Sequence, residues 1–203
     1  MLVLASASPR RRELLAQAGF TFSVEPASTP EDLRPEESAF AYVTRLAQEK
    51  AESVYSRLAA QNGDDLIVLG ADTTVVAPTG EILAKPEGDA DAERMLRLLS
   101  GQTHQVMTGV ALVSAQGTET AVEVTHVSVA TLSDEEIAAY VATGEPMDKA
   151  GAYGIQGYAG RWIPRIQGCY FNVMGLPLAL VSAMIEGLYM RREQAAPAST
   201  SSK

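Results

Sequence analysis

One cysteine, Cys169, stands in the 203 residues, so no disulfide can form within the chain. That suits a reducing compartment such as the cytoplasm. Histidine is nearly as scarce. His104 and His126 are too few and too far apart for a histidine-based metal centre, and neither fits a Ser-His-Asp arrangement. Basic residues are in deficit: 16 Lys and Arg against 25 Asp and Glu give a net charge of −9. Such a chain is a poor partner for a nucleic-acid polymer or an anionic membrane, whereas a small anion held by a local basic cluster stays open. No apolar run is long enough to span a bilayer, and no charged leader precedes an apolar core, so neither a membrane span nor a signal peptide is expected. There is no Gly-x-x-x-x-Gly-Lys loop, no Gly-x-Gly-x-x-Gly turn and no internal repeat. What remains is 46% hydrophobic and long enough for one domain with a real core.

The most informative stretch is the first. Leu2-Val3-Leu4 reads as a short buried strand, Ser8 as an N-cap and Pro9 as the first helical residue. Gly19 closes that helix. Three arginines, Arg10, Arg11 and Arg12, crowd its first turn, where the helix dipole disfavours cations. Either the segment is a solvated surface, or free N–H groups, serine hydroxyls and guanidinium groups together hold a phosphate.

Downstream, Phe20 to Val24 reads as a strand and Glu25 to Arg34 as a polar connector containing Glu31 and Asp32. A helix is expected from Pro35. Its apolar stripe, Ala39, Val43, Leu46 and Val54, includes Lys50, which needs a partner or must snorkel. Arg45 and Glu49 fall off the stripe and are expected at the surface. Leu66 to Leu69 is a continuous apolar run, a strand buried on both faces, ending in Gly70-Ala71-Asp72-Thr73. An acid at the end of such a strand is a usual site for catalysis or metal binding; the plain alternative is a turn Asp bonded to nearby N–H groups. Lys85, held extended by Pro86, reads alone as a surface residue. Asp89 to Leu99 reads as an amphipathic helix. Val106 to Val113 and Ala121 to Thr131 read as paired strands with room for a bulge. Ser133 opens a capping-box helix, and a glycine-rich loop spans Glu145 to Gly157. A last strand region is expected over Ile166 to Phe171, a last helix over Leu178 to Met190, and a disordered tail over residues 191–203.

Eight blocks, in order, carry a resemblance. The first is Leu4-Ala5-Ser6-Ala7-Ser8-Pro9-Arg10-Arg11. Then come Arg45-Leu46-Ala47-Gln48-Glu49-Lys50-Ala51, Gly70-Ala71-Asp72-Thr73, Lys85-Pro86 and Ser100-Gly101-Gln102-Thr103-His104. Gly144-Glu145-Pro146, Lys149 through Gly157 and Asn172-Val173-Met174-Gly175-Leu176-Pro177 complete the set. Over roughly residues 2 to 190 the chain resembles the Maf family of nucleoside triphosphate pyrophosphatases. Its Ala-Tyr-Gly-Ile-Gln-Gly loop is similar to the branch acting on dTTP and UTP.

The resemblance implies an α/β fold with an elongated mixed sheet flanked by helices, of the Maf/inosine-triphosphatase type. Residues 1–190 would form one domain, two lobes around a cleft. It implies a cytoplasmic homodimer that cleaves between the α and β phosphates with Mg²⁺ or Mn²⁺. Asp72 would be the general base or metal-held acid, with Lys50 and Lys85 completing the catalytic set. Ser6, Arg10, Arg11, Lys50 and Lys85 would hold phosphates, and Glu31 would join Asp72 at the metal. Arg11, Thr73 and Gln156 would sit where the base is read. Where the family carries an acidic pair after the second strand, this chain has Thr29-Pro30-Glu31-Asp32, which leaves Glu31 and Asp32 as alternatives. The same resemblance allows a modified purine nucleotide such as 7-methyl-GTP as substrate, or a nucleotide-binding regulator of septum formation.

Overall fold

The computed structural model describes residues 1–195. β1 (Leu2–Leu4) leads into α1 (Pro9–Gln17), whose N-cap hydroxyl, Ser8 Oγ, accepts from the Arg11 N–H at 3.4 Å. β2 is only Ser23–Val24, shorter than the expected five residues, because only these two residues pair with β1. α2 (Ala39–Asn62) starts four residues later than expected. Glu36 has φ +59°, which interrupts any helix from Pro35, and Ser38 supplies the cap, its hydroxyl accepting from Ala41 N–H at 3.2 Å. β3 (Ile67–Val76), β4 (Ile82–Leu83), α3 (Asp89–Leu99), β5 (Thr103–Ser114) and β6 (Gly117–Ser128) follow. α4 (Asp134–Val141) carries the full Ser133–Glu136 capping box.

The glycine-rich stretch is ordered into 3₁₀ turns at Glu145–Asp148, Ala150–Ala152 and Tyr158–Trp162. β7 is Arg165–Gln167 and no longer. Gly168, at φ +126°, swings the chain off the sheet, so Phe171 lies in α5 (Tyr170–Met174) and not in a strand. α6 (Leu178–Ala195) runs past the expected end at Met190, so its last turn replaces the start of the expected tail; residues 196–203 lie outside the described residues.

The seven strands form one mixed sheet in the order β2-β1-β3-β5-β6-β7, with β4 on β3. β1 pairs in parallel with β2 and β3, and the remaining pairs are antiparallel. The β5–β6 ladder runs unbroken from Thr103↔Ser128 to Ser114↔Gly117, so the room left for a bulge is not used. The weak alternation in β6 has another cause. Only two of its twelve residues are fully buried, the rest being half-buried or exposed, so neither face is under strong selection for apolar side chains.

Apolar clusters cover both faces of the sheet. On one face, Leu4, Ile67, Leu69 and Ala71 pack with Leu14 and Leu15 of α1 and Val181 and Ile185 of α6. On the other, Val3, Val68 and Ala111 pack with Ala47, Ala51 and Val54 of α2. A separate core gathers Val75, Leu83 and Val106 with α3, α4 and the 3₁₀ turns. Two glycines decide how close α2 lies. A Cβ on Gly70 would stand 2.2 Å from the Ala47 carbonyl oxygen, and one on Gly109 would stand 2.2 Å from that of Val43. The helix backbone therefore rests on bare sheet backbone at these two points.

Candidate active site

β3 does not end at Asp72, as the sequence suggested; it continues to Val76 and puts this acid in mid-strand. What ends is its neighbour. β1 pairs with β3 only at residues 67–69, and β4 only at Val75 and Val76. Between them the strand edge is open while β5 stays bonded along the other side. Successive side chains of a strand point to opposite faces. At this open edge both faces reach the same opening, Asp72 from the α2 side and Thr73 from the α1 side. The opening is a cleft of about 700 Å³, and its lining includes Ser6, Arg10, Arg11, Glu31, Lys50, Asp72, Thr73, Lys85 and Gln156. Every site residue expected from the sequence is thus brought together.

Lys50 is the hub. It sits on the buried stripe of α2 and has partners, so it does not snorkel. Its Nζ lies 2.7 Å from Asp72 Oδ1 and 2.5 Å from Glu31 Oε1. Asp72 is 7% exposed. Burial pushes its carboxyl above the ordinary 3.8, against the opposing pull of Lys50 and Arg11. Glu31 shifts the other way. Burial acts to raise it, but the Lys50 hydrogen bond and the charges of Lys50, Lys85 and Arg11 together hold it below 4.5. Two carboxylates in one site are therefore pushed apart in acidity. Glu31 lines the cleft, whereas Asp32 stands outside its lining and accepts from Arg45 through its carbonyl at 3.1 Å.

At the N-terminus of α1 the three arginines diverge. Arg11 donates from Nε to the Gly175 carbonyl at 2.8 Å, from Nη2 to Thr73 Oγ1 at 3.0 Å and from Nη1 to Ser6 Oγ at 3.4 Å. Burial lowers its pKa while Asp72 and Glu31 counter that pull. Gly175 is held in place from below, because the buried Asn172 amide donates to Val106 O at 3.0 Å and Thr125 Oγ1 at 2.9 Å, fixing α5 on the sheet. Arg10 leans across the cleft toward Asp148, 3.9 Å away. Arg12 is exposed and takes no part in the cleft lining.

The far wall adds residues that sequence reasoning did not single out. Lys149 donates to the Glu145 carbonyl and to Asp148 Oδ1, both at 2.6 Å. Tyr153 is buried and bonded to His104 Nε2 at 2.8 Å. Burial lowers His104 to about 4, so it stays neutral at physiological pH, a structural post for the wall. The signals for the loop residues were its density of glycines and the blocks Gly144-Glu145-Pro146 and Lys149 through Gly157. With Lys149, the cleft holds five cations, Arg10, Arg11, Lys50, Lys85 and Lys149, against four acids, Glu31, Asp72, Glu145 and Asp148. In a chain of net charge −9 that is a local positive excess, suited to a polyanion.

Arg45 corrects an expectation. Its side chain is only 13% exposed. It grips Glu37 through Nε at 2.6 Å and Nη2 at 2.7 Å, while Nη1 reaches Glu49 at 3.2 Å. Tyr42 adds a hydrogen bond to the Glu31 carbonyl at 2.7 Å. These contacts fasten the 25–38 connector to α2 and set Glu31 beside Lys50. The paired guanidinium holds the Glu37 carboxyl down from 4.5 to about 2. A depressed carboxyl contributes stability that is complete above its unfolded value and fades as pH falls toward the folded one. Arg45→Met is therefore expected to cost about 1 kcal/mol at pH 7, and the gap from the parent protein should close as pH drops from 4.5 toward 2. Urea midpoints measured at neutral and acid pH check both parts.

The donor set fits a hard divalent cation only in company. Among the described residues no cluster of three or more His, Cys, Asp or Glu side chains gathers in metal-binding geometry. Asp72 and Glu31 do converge on one point, the Lys50 ammonium. Magnesium commonly takes one or two carboxylates and completes its shell with substrate phosphates and water, and this pair matches that pattern. Among the described residues no helix is long and apolar enough to cross a membrane.

Residues 1–188 match the family described as Maf-like protein. The chain is 53% identical over 184 residues to a dTTP/UTP pyrophosphatase of Koribacter versatilis, covering 91% of this chain and 92% of that one. It is 51% identical over 193 residues to a dTTP/UTP pyrophosphatase of Shigella sonnei, with 95% of each chain covered. Against a dTTP/UTP pyrophosphatase of Hahella chejuensis the identity is 52% over 177 residues and 87% of each chain. Among solved structures, that of the Staphylococcus aureus Ham1 protein matches with a TM-score of 0.45 and 16% identity, covering 92% of this chain and 98% of that one.

Proposed function

Because the chain belongs to the Maf-like family, we propose that it is a nucleoside triphosphate pyrophosphatase that hydrolyses dTTP and UTP to the nucleoside monophosphate and pyrophosphate. The observation that carries the reading is the Lys50 ammonium held between Asp72 and Glu31 at the open edge of β3, inside a cleft richer in cations than the chain around it. A polyanionic substrate replaces internal ion pairs there with its own charges.

The residues divide the work. Ser6, Arg10 and Arg11, gathered at the start of α1, receive phosphate oxygens. Asp72 accepts a proton from the water that attacks the α-phosphorus; its raised basicity suits that task. Lys50 and Lys85 neutralise charge on the departing pyrophosphate. Asp72 and Glu31 would hold Mg²⁺ or Mn²⁺, which when bound supplies further charge neutralisation at the phosphates. Arg11, Thr73 and Gln156 read the base. The Arg11 fork, already engaged with Thr73 and Ser6, links that reading to the phosphate end of the cleft. An amide such as Gln156 both donates and accepts, as a pyrimidine edge requires. In this reading residues 1–190 act as one domain whose two lobes meet at the cleft, and the enzyme works as a cytoplasmic homodimer.

The test is a substrate panel. Each canonical and several modified nucleoside triphosphates are supplied with Mg²⁺ or Mn²⁺, and pyrophosphate and orthophosphate are assayed separately. Pyrophosphate from dTTP and UTP is the expected result. Pyrophosphate from purines alone would retain the chemistry and overturn the base assignment. Tight nucleotide binding without any product would replace the enzyme with a regulator. Sedimentation of the purified protein checks the dimer.

A further inference from the structure

The segment from Glu145 to Tyr158 leaves α4, forms one wall of the cleft, exposes Gln156 to it and returns. The two ends of this excursion are joined by a single side chain. The Glu145 carboxylate accepts from the Tyr158 backbone N–H at 3.1 Å (Oε1) and 3.2 Å (Oε2), and Oε1 also accepts from the Tyr140 hydroxyl at 3.0 Å. Tyr140 is buried in α4 and stacks on Tyr158, their ring centroids 5.7 Å apart. The carboxylate thus ties the far end of the loop to a fixed post in the core.

A second observation is independent of those hydrogen bonds. Gly157, the residue after Gln156, has φ −94° and ψ −157°, extended backbone open to any side chain. Its lack of a side chain is therefore not a conformational requirement. A Cβ there would lie 1.9 Å from Glu145 Oε1 and 2.6 Å from its Cδ. The glycine makes room for the carboxylate. Each of these two residues accounts for the other, and both flank the amide that reads the base.

We propose that Glu145 is a positioning residue for base selection: its carboxylate closes the neck of the 145–158 loop and fixes where Gln156 meets the pyrimidine. The inference rests on the reading of Gln156 given above. Glu145 acts through the loop, so its loss should spread the positions of Gln156 while leaving Asp72, Lys50 and Lys85 in place.

The experiment compares Glu145→Ala, Glu145→Gln, Gly157→Ala and the Glu145→Ala/Gly157→Ala double variant. Steady-state kinetics are run on dTTP and dCTP, with amide exchange at Tyr158 followed in parallel. Glu145→Ala should raise KM for dTTP about tenfold, change kcat less than about threefold and cut the dTTP-over-dCTP preference by about the same tenfold. Tyr158 exchange should quicken. Glu145→Gln keeps an oxygen for the Tyr158 N–H and should restore most of the preference. Gly157→Ala, which drives the carboxylate away, should reproduce Glu145→Ala, and the double variant should be no worse than either single one. A Glu145→Ala enzyme that keeps the parent's preference overturns the proposal, as does a loss confined to kcat or singles whose effects add. If the parent enzyme itself shows no preference for dTTP, the reading of Gln156 has failed and takes this inference with it.

Discussion

Asp72→Asn is expected to lower kcat about 10³-fold, within the range general bases contribute, while leaving the protein at least as stable as its parent at neutral pH. The two halves follow from one observation. Burial raises the Asp72 carboxyl above its ordinary value, so the ionised form is disfavoured in the fold relative to the unfolded chain. A carboxyl shifted upward adds stability below its unfolded pKa and loses it as pH rises, so at pH 7 ionised Asp72 is a burden. Asparagine has the same shape and no charge. Lys50 keeps a counter-charge in Glu31 at 2.5 Å, so no orphaned ammonium results. Turnover of dTTP gives the first half and urea unfolding at pH 7 the second. A variant that retains a tenth of parental turnover would remove Asp72 from the role of base.

The second large effect is remote from any charge. Gly109→Ala should destabilise the fold by about 3 kcal/mol, at the upper end for overpacking. Its Cβ would meet the Val43 carbonyl oxygen at 2.2 Å, the carbonyl carbon at 2.5 Å and the Thr44 nitrogen at 2.9 Å. These are helix backbone atoms, which cannot swing aside as a side chain can, so α2 must retreat as a body. Gly109 lies directly opposite Asp72 in the β3–β5 register, and Lys50 rides on the helix that would move. Turnover should therefore fall about 10²-fold in whatever fraction folds, because a displacement near 1 Å is enough to misplace the pair. Urea unfolding and single-turnover hydrolysis separate the two consequences. Wild-type unfolding in Gly109→Ala would mean that α2 is not held by backbone contact.

The parts of this site legible in the sequence were those specified locally. Ser8 and Pro9 announce a helix start, Ser133 and Glu136 a second, and Asp89 to Leu99 carries a stripe strong enough to fix both ends of its helix. Lys50 announced itself by falling on an apolar stripe, and Asp72 by following a buried strand. Several of the misses depend on contacts between separated segments. Arg45 looked like surface because its partner Glu37 sits on a connector with no periodicity. The extension of β3 through Asp72 was hidden because polar and small residues are ordinarily strand enders, whereas here β5 pairs with every one of them. Phe171 read as strand from its apolar neighbours, and the turn at Gly168 sent it into a helix. Glu145 stood in a block of the resemblance, Gly144-Glu145-Pro146, but nothing local gave it a task; that task lies in the space that Gly157 vacates.

The open edge of β3 also makes part of the cleft immune to ordinary substitution. The Leu69 carbonyl accepts from Ala5 N–H at 2.8 Å, and Ile67 N–H donates to Met1 O at 2.9 Å, so odd-numbered residues of the strand turn their peptide groups toward β1. Continuing that alternation, Ala71 and Thr73 present theirs where β1 has ended and β4 has not begun. Thr73 lines the cleft, so its N–H and C=O groups stand at the opening as fixed dipoles belonging to the main chain. Of the twenty residue types only proline alters that inventory, by deleting one donor. Side-chain substitutions elsewhere in the cleft leave these main-chain groups in place, so part of the binding surface is written in no particular residue.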